Sequence, residues 1–172
     1  MKTTRKITYT AVLLALLIVL QWATKSLGQF VTGSCVNCVL AVAALVVGLE
    51  SGLLVALVSP FMAFLLNIGP ANIAVVPAIA AGNVVLVLVL WLILHKKQNI
   101  VRSVLGVACA SAAKFLALYL LVVQLLCRVL TLKEQQVALF SQMFSWPQLV
   151  TALIGSAVAV ALIPLVRRAH RS

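Results

Sequence analysis

The sequence predicts an all-α membrane protein: a single domain, residues 1–172, of six transmembrane helices with both termini in the cytoplasm. Hydrophobic residues make up 65% of the 172 residues, charged residues only 9%, and the mean hydropathy is +1.23. These values exclude a soluble domain. The net charge of +11 does not indicate nucleic-acid binding, because the basic residues are grouped at the ends of apolar segments, as membrane topology requires.

With about 20 residues as the length that spans the bilayer core, the sequence predicts six apolar helices, of which the second and third are short. The predicted helices span residues 7–24, 33–48, 51–67, 73–94, 100–127 and 147–166. The basic start of the first segment imitates a signal peptide, but no small-residue cleavage site follows it. Only Leu49 and Glu50 separate the second and third helices, so we expect a tight hairpin or a partly re-entrant pair. Pro60 predicts a kink in the third helix, with an irregular loop after it.

Basic residues predict the orientation, since cytoplasmic segments are enriched in lysine and arginine. Nine of them lie at the termini and in the loop after the fourth helix: Lys2, Arg5, Lys6, Lys96, Lys97, Arg102, Arg167, Arg168 and Arg171. The opposite side carries three: Lys25, Arg128 and Lys133. We therefore expect residues 25–32, 67–72 and 128–146 to face outward. The last of these loops has apolar residues at helical spacing, which fits either an interfacial anchor ending at Trp146 or a lid.

Small residues recur at helical spacing on most of the predicted helices and favour a compact bundle. One pair is harder to explain in this way. Ala11 and Ala15 lie on the cytoplasmic half of the first helix among large aliphatic residues. Because small-xxx-small pairs let helix backbones approach closely, this pair indicates either ordinary packing or a docking surface for a partner.

Several expected chemistries are missing from the sequence. No phosphate-binding loop is present, so the chain has no site of the usual kind for ATP hydrolysis. Proton-coupled carriers use acidic residues or histidine inside the membrane, but His95 and His170 lie at predicted cytoplasmic ends, and both glutamates, Glu50 and Glu134, are expected in loops. Transport powered by this chain alone is therefore not predicted. No cofactor or metal site is predicted either.

The polar residues inside the predicted helices form a small set. Lys114 lies near the middle of the fifth helix, and no carboxylate is placed to pair with it, so its partner is expected to be an anionic ligand from outside. Amides and hydroxyls from other helices and outer loops are predicted to line the same cavity: Asn37, Asn83, Gln148, Thr151, Thr32, Asn67 and Asn72. Two alternatives stay open. The amides bond only to one another or to backbone, or Lys114 snorkels to an interface or bonds to carbonyls of the third helix.

Four cysteines raise the alternative of a membrane thiol oxidoreductase. Cys35 and Cys38 form a C-x-x-C at the predicted outer face. Cys109 and Cys127, however, are 18 residues apart in one predicted helix. That spacing is about 27 Å along the axis, whereas disulfide-bonded Cα atoms lie within about 7 Å. Apolar packing therefore accounts better for all four.

Over its whole length the chain resembles the substrate-binding S components of energy-coupling factor (ECF) vitamin transporters. The resemblance rests on length, six helices, cytoplasmic termini and a combination of short motifs. These are the basic start Arg5-Lys6-Ile7-Thr8 before Ala11 and Ala15, the segment Thr32-Gly33-Ser34-Cys35-Val36-Asn37, the stretch from Pro77 to Gly82-Asn83, Lys114, and Gln148-x-x-Thr151.

The resemblance implies that substrate capture and energy supply belong to different subunits. Such a subunit captures a micronutrient at the outer side, and a membrane coupling protein with two ATPases supplies the energy. It implies that Ala11 and Ala15 pack on the coupling protein, and that Asn37, Asn83 and Lys114, with Gln148 and Thr151, lie at or near the ligand. A stand-alone carrier is the alternative function.

Overall fold

A computed structural model describes residues 3–96 and 99–169 of the chain. Helix accounts for 89%, and no strand occurs in the described ranges, which confirms the all-α prediction. Four residues named above, Lys2, Lys97, His170 and Arg171, lie outside these ranges.

The main helices are α1 (Thr3–Thr24), α2 (Gln29–Val42), α3 (Leu49–Leu65), α4 (Val76–Leu94), α5 (Ile100–Leu118), α6 (Glu134–Met143) and α7 (Trp146–Ala169). Two of them continue in wider π-helical turns, α2 through Ala43–Val47 and α5 through Tyr119–Leu126, the second ending in the helical turn Cys127–Val129. Short 3-10 turns at Lys25–Leu27 and Ile73–Val75 precede α2 and α4.

Five helices within the described ranges are long and apolar enough to cross a membrane. They contain α1, α2, α4, α5 and α7. The remaining apolar helix, α3, has 17 residues and a length of about 25 Å, just short of a typical hydrocarbon core. The structure therefore supports five of the six predicted crossings by length, and a crossing by α3 stays a prediction.

The connection between α2 and α3 is tighter than the sequence predicts. It consists of Gly48 alone, whose φ of +133° is a backbone conformation that favours glycine. Leu49 and Glu50 belong to the first turn of α3, and Glu134 is the first residue of α6, so the expectation that both glutamates lie in loops is wrong. A carboxylate in the first turn interacts favourably with the helix dipole.

The segment between α3 and α4 is irregular, as predicted, although α3 continues through Pro60 to Leu65. Asn67 adopts a φ of 54° just beyond the end of α3, a conformation that asparagine tolerates better than most residues. The side-chain oxygen of Asn72 accepts a hydrogen bond of 3.0 Å from the backbone N–H of Ala74 and caps the turn before α4. Both asparagines thus have a structural role in this connection.

Helix α6 lies against the bundle between α5 and α7. Phe140 and the following Phe144 are buried in an apolar cluster with Val75, Leu118 and Val122. The ring of Trp146 is exposed and lies 5.5 Å from that of Phe30, near the start of α2. The apolar residues at helical spacing in the outer loop therefore include phenylalanines that pack onto the bundle, while Trp146 at the end of the loop is exposed.

Helices α2 and α7 pack so closely that glycine is required at their contact. A Cβ atom added to Gly155 would lie 2.7 Å from Cβ of Asn37 and 2.9 Å from the backbone nitrogen of Cys38, and would also clash with the carbonyl oxygen of Ser34. On the other side of the contact, Gly33 faces the side chain of Thr151. This close approach fixes the position of Asn37, and α2 backbone atoms cannot move aside as a flexible side chain would.

We predict that Gly155→Ala destabilises the protein by about 1 to 3 kcal/mol, because overpacking a tight contact forces the backbones apart. Thermal unfolding of purified protein in detergent measures the effect. Ala157→Val is the matched control, since Ala157 lies on the exposed face of the same helix. Equal unfolding temperatures for Gly155→Ala and wild type would show that the contact is looser than described.

Candidate functional site

Lys114 is the centre of a polar cluster in the middle of the helix bundle. Its side chain is only 3% exposed. The Nζ atom donates hydrogen bonds of 2.6 Å to Oδ1 of Asn37 on α2 and of 2.7 Å to Oδ1 of Asn83 on α4. Three helices are thus joined through one ammonium group, and the alternative in which Lys114 snorkels to an interface is wrong.

The cluster extends to a fourth helix through Asn37. Its Nδ2 donates a hydrogen bond of 3.4 Å to Oγ1 of Thr151 on α7, and Thr151 in turn donates to the backbone oxygen of Gln148 at 3.2 Å. Because Asn37 accepts from the lysine and donates to the threonine, its amide orientation is fixed at both ends. The alternative of amides bonding to each other and to backbone therefore holds only in part.

Within residues 3–96 and 99–169, no negatively charged group lies beside the ammonium of Lys114. The chain has two acidic residues, Glu50 and Glu134. Glu50 is exposed and pairs with Lys6 at 3.4 Å, and Glu134 starts the outer helix α6, so neither reaches the cluster. An ammonium carries three N–H donors. Two are used by the asparagines, and the third has no partner among the described residues.

Lys114 is one of the residues that line a cavity of about 270 Å³ between the helices. At one end of the bundle the cavity is lined by residues of three connections: Lys25, Gly28 and Gln29; Ile68, Gly69 and Pro70; and Met143, Phe144 and Gln148. Most of the wall is apolar and comes from Val36, Pro60, Ala63, Phe64, Ile68, Val76, Ile79 and Phe144. This volume is close to the lower end of the range for small-molecule sites, about 300 to 1,000 Å³.

The predicted site residues divide into three groups. Five of them line the cavity: Thr32, Asn37, Asn83, Lys114 and Gln148. Thr151 lies behind Asn37 and supports it, without being part of the wall. Asn67 and Asn72 do not line the cavity and belong to the structured connection before α4.

The structure adds polar residues that the sequence analysis did not select. Gln21 on α1, Lys25 and Gln29 after it, and Ser59 on α3 all line the cavity. Gln21 carried a signal that was available, since it is an amide inside an otherwise apolar helix. Ser59 was indistinguishable from the small residues that serve close packing.

One backbone oxygen joins two of the connections that line this end of the cavity. The carbonyl of Met143, at the end of α6, accepts a hydrogen bond of 2.6 Å from Nε2 of Gln29 and one of 3.1 Å from Nε2 of Gln148. Met143 and Phe144 themselves line the cavity. The outer loop is therefore attached both to the connection after α1 and to the start of α7.

The cysteines lie away from this cavity. Cys35 and Cys38 border a separate apolar groove with residues of α1 and α7, and all four cysteines are free thiols. Residues 100–129 form one continuous helical segment, so Cys109 and Cys127 are held far apart along it. The disulfide chemistry of a two-pair thiol oxidoreductase has no support in this arrangement.

A comparison with known protein families distinguishes a transporter subunit from a thiol oxidoreductase. Residues 5–167 match the family model described as ECF transporter, substrate-specific component. The chain belongs to this family. No curated relative and no solved structure matches it.

This ECF substrate-specific component is thus an integral membrane protein of a transport system, and its family is one of substrate-binding subunits and not of enzymes. Its long apolar helices agree with that assignment. The resemblance noted in the sequence is confirmed at the level of the family.

We predict that Lys114 and Asn83 are energetically coupled. Asn83→Leu leaves an ammonium donor buried without its partner, and Lys114→Met leaves two amide oxygens without theirs, so each single change destabilises the protein by about 1 to 3 kcal/mol. The double variant removes both members of the bond, and its loss is smaller than the sum by at least about 0.5 kcal/mol. Chemical unfolding in detergent gives the four free energies.

A second cycle, with Lys114→Met and Gln148→Leu, is the control for that coupling. These two residues line the same cavity without a hydrogen bond between them. Their losses should therefore add to within about 0.5 kcal/mol. Additivity in both cycles would contradict the hydrogen bond between Lys114 and Asn83.

Proposed function

We propose that this ECF substrate-specific component captures a small, vitamin-like anion at the outer surface of the cell membrane and depends on a coupling protein and two ATPases for its uptake. One observation supports the inference that the substrate is an anion. Lys114 lines the cavity and is 3% exposed, and its ammonium is held by neutral amides without a carboxylate in reach.

Electrostatics favours an anion in this position. Removing an ammonium from water is unfavourable by several kcal/mol, and two amide oxygens compensate for only part of that loss. A carboxylate or similar group on the substrate supplies the missing charge and accepts the third N–H of Lys114. Lys25 adds a second cation to the lining of the cavity and attracts anions toward it.

The distribution of basic residues supports a cavity that opens outward. The three connections that line one end of it carry fewer lysines and arginines than the opposite end of the bundle, where α1 begins and the loop before α5 lies. With both termini in the cytoplasm, the cavity opens to the outside. Substrate then reaches Lys114 by passing the loops around Gln29 and Gly69 and the end of α6.

Helix α1 is the proposed docking surface for the coupling protein. It is the least buried of the five long apolar helices, with 17% of its most apolar window inside the protein. Ala11 and Ala15 are exposed on it, beside the exposed aliphatic residues Val12, Leu16 and Val19. A face of small residues bordered by larger ones allows a second membrane protein to approach the backbone closely.

We predict that Lys114→Gln weakens substrate binding at least about tenfold, since charge-assisted hydrogen bonds contribute about 1.5 to 3 kcal/mol. Glutamine keeps a donor for the two asparagines and removes the charge. The measurement is isothermal titration of purified protein with the compound that is released from wild type on denaturation and identified by mass spectrometry. Ser111→Ala, one turn away and outside the cavity, is the control. Unchanged affinity in Lys114→Gln would refute an anionic contact.

We predict that Ala11→Leu and Ala15→Leu reduce ATP-driven uptake at least about tenfold and leave substrate affinity unchanged, because the larger side chains prevent close docking on α1. Uptake is measured in proteoliposomes that contain the coupling protein and both ATPases. Ala157→Leu places the same side chain on the exposed face of α7 and should transport normally. Equal uptake by wild-type protein without the ATPases would instead indicate a stand-alone carrier.

A further inference from the structure

A second group of polar atoms in the cavity is not used by the Lys114 cluster. Oε1 of Gln21 and Oγ of Ser59 are buried and have no hydrogen-bond partner among the described residues. Gln21 is 7% exposed and Ser59 is 1% exposed, and both side chains line the cavity. Burying such an atom without a partner is unfavourable by about 1 to 3 kcal/mol, so it needs an explanation.

Two other buried hydroxyls provide a comparison. Oγ of Ser111 on α5 and Oγ of Ser156 on α7 also lack partners, but neither residue lines the cavity. Both are fully buried, where serine serves as a small residue. Gln21 and Ser59 differ from these two serines because both belong to the wall of the cavity, so a bound molecule lies beside them.

Helix geometry places Gln21 and Ser59 on the same side of the bundle. Helices α1 and α3 run in the same direction and are joined lower down by a hydrogen bond of 2.7 Å between Oγ1 of Thr10 and Oγ of Ser51. Gln21 follows Thr10 by three turns, about 16 Å higher on the same face, and Ser59 follows Ser51 by about 12 Å. The long glutamine side chain leans back toward the start of its helix, which reduces the difference in height.

The two polar groups of the cavity therefore come from different helices. Lys114 and its amide partners belong to α2, α4 and α5, whereas Gln21 and Ser59 belong to α1 and α3. Apolar side chains make up most of the remaining wall, including Val36, Phe64 and Ile79. A ligand that satisfies both groups has a charged end, an apolar body and a second polar group.

We propose that Gln21 and Ser59 form a second polar subsite, which binds a neutral hydroxyl or N–H donor that the anionic substrate carries apart from its charged group. The amide oxygen of Gln21 accepts from this donor, and the hydroxyl of Ser59 both accepts and donates. This subsite rests on the proposed anion site at Lys114, and it narrows the substrate to small organic anions with a separate hydroxyl or amide group.

Such a subsite provides selectivity more than overall affinity. A pocket built to hydrogen-bond a substrate hydroxyl rejects the analogue that lacks it, because the buried polar groups are then left unpaired. An apolar pocket distinguishes the same two molecules poorly. Selectivity for the hydroxyl is therefore the property that Gln21 and Ser59 should control, independently of Lys114.

Matched pairs of small carboxylates test this proposal on the full-length purified protein. Butyrate is compared with 4-hydroxybutyrate and with succinamate, and hexanoate with 6-hydroxyhexanoate, by isothermal titration. The variants are Gln21→Met and Ser59→Ala, which remove the polar atoms with little change of shape. Ser111→Ala and Ser156→Ala remove unpartnered hydroxyls outside the cavity and serve as controls.

We expect wild type and both controls to bind at least one hydroxylated or amide-bearing carboxylate about tenfold or more tightly than its plain partner. In Gln21→Met and Ser59→Ala that preference should fall to about twofold or less, because the hydroxylated or amide-bearing member of the pair loses its hydrogen bond. Equal binding of both members of every pair by wild type would overturn the second subsite and leave the anion site intact. A preference that is retained in both Gln21→Met and Ser59→Ala would also overturn the second subsite and leave the anion site intact. If no carboxylate of either kind bound to wild type, both the anion site and the subsite would be refuted.

Discussion

The arrangement of the site depends on one buried ammonium held by two amide oxygens. Lys114 binds Asn37 and Asn83 at 2.6 and 2.7 Å, and these three residues come from three different helices. In a low-dielectric interior such hydrogen bonds are strong, and a misplaced partner is correspondingly unfavourable. The relative positions of α2, α4 and α5 are therefore restrained by polar bonds at the level of Lys114.

Close packing by small residues makes this polar layer possible. Asn37 reaches Lys114 and Thr151 together only because Gly155 lets α7 approach the backbone of α2. In a bilayer the hydrophobic effect does not drive helices together, so van der Waals contact and interhelical hydrogen bonds must do so. At this contact the two effects coincide, since the glycine that allows the approach also positions the asparagine that bonds across it.

Much of the fold and the centre of the site were predictable from the sequence, for physical reasons that differ between residues. Apolar length predicts membrane helices well, and an isolated lysine with amides at similar depth indicates a polar interior. Asn67 and Asn72 were selected from the sequence but do not line the cavity. The sequence does not distinguish a polar loop residue that binds a ligand from one that stabilises a turn. Gln21 could have been selected as an amide within an apolar run, whereas Ser59 depends on which face of α3 turns inward, and nearly uniform hydrophobicity hides that face. The π-helical turns after α2 and α5 could not be predicted, because no residue pattern in the sequence indicated them.

The absence of a carboxylate near Lys114 also has an electrical consequence. Under the proposed function, an empty site with protonated Lys114 carries one positive charge, and the same site loaded with a monovalent anion carries none. A membrane potential performs work of about 2.3 kcal/mol on each elementary charge moved across 100 mV, and performs none on a neutral pair. The other charges of the subunit are the same in both states, so reorientation of the empty and of the loaded subunit would differ in voltage dependence by the work done on this one charge.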